Sequence, residues 1–119
     1  MDERLKILLD NNVISHDVYT FCLKVNEKIV QREQLDQSTA TVFMTHLAMA
    51  TQRIRDNNIV NPLDEFILKQ VVSHEKYELA INLIDEILIL SPVDYPESEK
   101  QYLWLHMCNV LQEKGGKED

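Results

Sequence analysis

The chain has 119 residues, 12 basic and 20 acidic side chains and a formal charge of −8, a length that suits one domain with its own core and not two. The basic residues are scattered from Arg4 to Lys117 without clustering, so the face that displaces counterions from a phosphate backbone is missing and no direct nucleic-acid contact is expected. No apolar run approaches the roughly 20 residues of a membrane span, and the opening MDERLKILLD is acidic and amphipathic, unlike a secretory signal; a cytoplasmic protein with no membrane contact is expected.

The two glycines, Gly115 and Gly116, fall in the stretch EKGGKED, which leaves no phosphate-binding glycine loop and no Asn-Gly hairpin. A short helix over about residues 3–10 is predicted to stop at Asn11-Asn12. Ser15 is a candidate N-cap for the next helix, which puts Val18, Phe21, Cys22, Val25 and Ile29 on one face. The polar QREQLDQST then breaks the pattern ahead of FMTHLAMATQRI, residues 43–54. On a wheel of about 100° per residue, Leu47, Ala50 and Ile54 fall within about 40° of Phe43 and form a narrow buried stripe. His46 lies about 60° and Arg53 about 80° to the same side of it.

Further on, Asn61 as cap and Pro62 at the first helical position predict a helix start. Ser73 can cap another helix, with Tyr77, Ala80, Ile81, Ile84 and Leu88 on its buried side, ending before Pro92. Pro96 opens the last helix, with Glu97 and Glu99 near its positive end. There, Leu103, His106 and Val110 lie within about 40° of Glu99, while Trp104, Cys108 and Leu111 form a second apolar strip on the opposite side. A helix apolar on two sides packs against two things, either two layers of one bundle or the bundle and a partner chain. The expected fold is all-α, an antiparallel bundle of about five main helices. It forms one domain over 1–119, with 113–119 a polar tail.

Chemistry is sparse. A helical histidine beside a core stripe is more often structural than reactive, and His16 and His74 sit at helix starts among polar neighbours. His106 and Cys108 are two apart and face different ways on a helix, and no other ligand spacing appears, so no metal or other cofactor is expected. Without a nucleophile turn or a carboxylate at helical spacing from either histidine, an enzyme is not expected. Cys22 and Cys108 read as buried thiols.

The stretches THLAMATQR, NPL, HEKYELAINLIDEI and PESEKQYLWLHMCNV together resemble the PTS regulation domain, or PRD. This is the helical module of bacterial antiterminators and activators controlled by the sugar phosphotransferase system. The family pattern sets an arginine seven residues after its first histidine, as His46 and Arg53 stand here. Near its end come a proline, a glutamate, a histidine and an asparagine, matched by Pro96, Glu99, His106 and Asn109. The resemblance covers about residues 37–112 and is looser over 1–36. Thr45 replaces the aspartate usual before the first histidine, and QYLWL replaces the small residues before the second.

The resemblance implies phosphoacceptor roles for His46 and His106, supported by Arg53, Glu99 and Asn109. It implies a phosphocarrier or sugar-specific B component of the phosphotransferase system as donor, a homodimer, and a headed regulator as target of a domain standing alone. A neutral imidazole, with an ordinary pKa near 6.5, is a competent nucleophile toward a phosphoryl group. Close to two negative charges would then sit at an apolar margin, a local event able to bias the bundle. The rival expectation is an unphosphorylated helical adaptor or dimerisation module in which both histidines are packed.

Overall fold

Because both glycines lie near its C-terminal end, this chain must stop most of its helices with other residues. The computed structural model describes residues 2–116, with side chains described for residues 3–112. Six α-helices follow in order: α1 (Asp2–Asp10), α2 (His16–Val25), α3 (Gln37–Arg55), α4 (Glu65–Val72), α5 (Tyr77–Ile89) and α6 (Glu97–Gly116). Among the described residues there is no strand. The all-α bundle is therefore present, as five main helices and the short α1. Of the expected polar tail at 113–119, the side chains and residues 117–119 lie outside the described residues.

Three left-handed residues end helices: Asn12 (φ 60°), Gln34 (φ 53°) and Asn57 (φ 62°). Each closes the same pair of hydrogen bonds. At Asn57 its own N–H reaches the Ile54 carbonyl at 2.9 Å and the Asn58 N–H reaches Arg53 at 2.9 Å, and the bonds around Asn12 and Gln34 repeat this pattern. Asparagine tolerates the left-handed region, so two of these stops need no glycine.

Helix α2 continues into one turn of π-helix over Asn26–Gln31. The wider turn brings Val30 inward beside the expected Ile29, each 2% exposed. Ser15 occupies the N-cap position of α2 without bonding the helix amides; its hydroxyl donates to the Asp17 carboxylate instead. Helix α3 starts earlier than its apolar stripe, because the Asp36 carboxylate accepts from the Thr39 N–H at 3.1 Å.

Two expected helix starts are corrected. Residues 60–64 are not helical, and α4 begins at Glu65, where the Asp64 carboxylate accepts from the Phe66 N–H at 3.2 Å. The Asn61-Pro62 segment serves as a strap across α6. The Leu63 N–H donates to Gln101 Oε1 at 2.9 Å and the Tyr102 hydroxyl donates to the Asn61 carbonyl at 3.0 Å. Ser73 caps the end of α4 rather than the start of α5. His74 takes up the α5 start, its Nδ1 accepting from the Lys76 N–H at 3.0 Å while Nε2 meets Gln112 Oε1 at 3.2 Å.

Helix α6 packs between α3 and α5, with α4 also against it, while α2 lies on α3 and α1 against both. The two apolar sides of α6 are thus filled by two layers of one bundle. Leu103, Met107, Cys108, Val110 and Leu111 are all buried. Trp104 is half-buried and edge-on to Tyr77, ring centres 6.0 Å apart. Phe43, Met44 and Leu47 of α3 and Ile84 and Ile87 of α5 complete the core. Among the described residues no helix is long and apolar enough to cross a membrane.

Candidate functional site

The core faces of α3 and α6 decide what stands on their shared flank. With Phe43 and Leu47 turned inward on one helix and Leu103 and Met107 on the other, His46 and His106 are left at the margin where the two helices meet. Their rings stack, centroids 3.9 Å apart and planes 6° from parallel. Seven residues forward along α3 and seven back along α6, Arg53 forks onto Glu99, Nε to Oε2 at 2.8 Å and Nη2 to Oε1 at 3.0 Å. Both pairs belong to one antiparallel register. The Glu99 side chain is 1% exposed and Arg53 36%, and the hydrogen bonds to Glu99 raise the guanidinium pKa above its usual value. A two-pronged, charge-assisted contact of this kind sets orientation as well as energy.

The stack has a different character. His46 is exposed and His106 half-buried. Burial, and then the neighbouring His46 ring, push the His106 imidazole down to about 4. Two cations about 4 Å apart would repel by about 1 kcal/mol in water and about 4 kcal/mol at the effective dielectric of a protein surface, so the stack disfavours a second charge. Among the described residues neither ring has a hydrogen-bond partner, and no buried side-chain nitrogen lacks one; the nitrogens of His106 therefore reach solvent. Near pH 7 the site offers an uncharged ring with one nitrogen lone pair free, the state needed for attack on phosphorus.

Asn109, exposed and one turn beyond His106, borders a hollow of about 110 Å³ lined also by Thr39, Val42, Phe43 and Val110. Deeper along the seam, the buried Thr51 hydroxyl donates to the Leu47 carbonyl at 2.7 Å and shares a hydrogen bond with the Tyr95 hydroxyl. Burial raises the Tyr95 phenol, keeping it neutral. Among the described residues no group of three His, Cys, Asp or Glu could hold a metal ion. His16 is exposed on α2, away from this seam, and His74 belongs to the start of α5.

The chain's residue pattern held a signal for the Arg53–Glu99 contact. His46 precedes Arg53 by seven positions and Glu99 precedes His106 by seven. Equal spacings in opposite order let two antiparallel helices match both pairs at once.

A family model for the PRD domain matches residues 19–110. The chain belongs to the PRD domain family. This membership places it in a regulatory, non-catalytic class governed by the sugar phosphotransferase system. The matched part of the PRD domain runs from within α2 to Val110 and holds His46, Arg53, Glu99, His106 and Asn109. Helix α1 lies ahead of it, yet its Leu5 is fully buried in the common core. No curated protein and no solved structure matches the chain.

Proposed function

We propose that this PRD domain takes a phosphoryl group at the His46–His106 pair from a phosphocarrier or sugar-specific B component of the phosphotransferase system. It passes that event on by protein contacts, to a second copy and to a headed regulator of transcription or antitermination. The observation that carries this reading is the stack, two imidazoles at a solvent-reachable margin with one held neutral.

Adding close to two negative charges there cannot leave the seam as it is. Arg53 is committed to Glu99, and drawing it away would strand a carboxylate 1% exposed, an arrangement that costs several kcal/mol. The modified ring therefore turns outward toward water or the seam repacks, and either change alters the surface between α3 and α6. Self-association is supported by α4, which leaves Phe66 62% and Val72 49% exposed.

Incubation with labelled phosphoenolpyruvate, the general phosphotransferase proteins and a sugar-specific B component tests this. Acid-labile label that disappears in the His46→Ala, His106→Ala double variant is expected. An unlabelled wild type would leave a helical adaptor whose histidines simply pack.

A further inference from the structure

Helix α3 is 19 residues long, QSTATVFMTHLAMATQRIR, and contains no acidic residue, although the chain carries 20 acids in 119 positions. Its charges are Arg53 and Arg55, both in the last turn. Along its outward face, Val42, His46, Met49 and Arg53 follow one another at spacings of four, three and four, one line on an α-helix. Val42 is 56% exposed and Met49 39%, an apolar residue on each side of the ring at one helical turn. Val42 also lines the hollow beside His106 and Asn109, so the line and the ring pair form one continuous surface.

We propose that this outward line of α3, from Val42 through His46 and Met49 to Arg53, is the seat for a protein bearing a phosphoryl group on its own imidazole. The proposal rests on the phosphoacceptor reading above. A donor that delivers phosphorus to a ring nitrogen of His46 must cover the residues one turn to either side. Those residues are apolar and exposed. The dianion it brings meets no acidic side chain belonging to α3, and the carboxylate that reaches the far end of the line, Glu99, is already paired with Arg53. Like-charge repulsion on encounter is thus kept low in a chain that is otherwise acidic. In the transfer, the lone pair of a neutral His46 nitrogen forms an N–P bond as the donor's N–P bond breaks. The donor ring leaves with that electron pair. The proton shed from the other nitrogen of His46 is balanced by one taken up by the departing ring.

The test compares two phosphoryl donors on the full chain. One is the phosphohistidine form of the phosphocarrier protein; the other is phosphoramidate, a small molecule that needs no seat. Val42→Glu and Met49→Glu place an acid on the line at exposed positions outside the core, and Ile7→Glu, at an exposed position of α1, is the control. The two α3 variants are expected to raise the half-saturating concentration of the protein donor about tenfold or more, as like-charge contacts at an interface do. Their labelling by phosphoramidate, a small anion, should fall far less than their labelling by the protein donor, and all labelling of Ile7→Glu should stay within about twofold of wild type. Val42→Lys, which loses the apolar contact but adds no repulsion, should fall between. Equal labelling of Val42→Glu, Met49→Glu and wild type by the protein donor overturns the docking line and leaves the phosphoacceptor reading standing. So does a wild type labelled by phosphoramidate alone. A wild type labelled by neither overturns that reading, and the docking line with it.

Discussion

At Arg53 and Glu99 the seam between α3 and α6 is closed by two charge-assisted hydrogen bonds around a carboxylate 1% exposed. Seven residues away, at His46 and His106, it is closed by the faces of two rings that find no hydrogen-bond partner among the described residues. The first end is also strapped, through Gln101 to the Leu63 amide and through Tyr102 to the Asn61 carbonyl. The second opens onto a hollow. One pair of helices thus carries a locked end that sets the register and a loose end that can accept a change of charge. A reactive ring is held in place most cheaply by stiffening the structure beside it, leaving the ring itself unbonded.

The largest expected effect falls on the locked end. Arg53→Met leaves Glu99 buried without its cation and should cost about 3 kcal/mol in a denaturant melt. A loss below about 1 kcal/mol would mean that both ends are equally loose. Next comes the strap. Gln101→Leu removes the acceptor for the buried Leu63 amide and should cost about 1–2 kcal/mol, read from the same melts.

The loose end should respond least to truncation and most to pH. His46→Ala removes an exposed ring and should cost about 1 kcal/mol or less. The His106 imidazole is pushed down to about 4 from the usual 6.5. Between those values the unfolded chain binds a proton that the folded chain refuses. Stability therefore rises with pH through this window, is fully present above about 6.5, and is lost as pH falls toward 4. Thermal melts across pH 4–7 should show that slope in wild type and a flatter one in His106→Asn.

Part of this contrast was legible in the residue pattern, because α3 is amphipathic and its stripe leaves His46 and Arg53 on one flank. Helix α6, apolar on two sides, set His106 within a stripe in line with Glu99 and hid that it stands at a margin. The resemblance to the regulation domain supplied all four residues, and the family match spans them. What could not be read locally was decided by distant partners. Asn61-Pro62 is a strong helix-start signal overridden by hydrogen bonds from residues 38 and 41 positions away. Ser73 gave way to the His74 ring as the group that organises the start of α5. The π-turn after α2 left no mark in the apolar periodicity, since Val30 simply joins Ile29 in the core.

The two thiols carry a consequence of their own. Cys22 is fully buried and its thiol is pushed up to about 12, while Cys108, 1% exposed on α6, is raised by burial as well. Only the thiolate attacks alkylating reagents and oxidants, so burial and the raised pKa of each thiol slow both reactions while the bundle is closed. Cys108 lies two residues past His106, and Cys22 sits in the layer packed behind α3. The molecule therefore holds two built-in clocks, whose rates of modification time how often the helices part, Cys22 for the layer behind α3 and Cys108 for the face of α6 turned away from the rings.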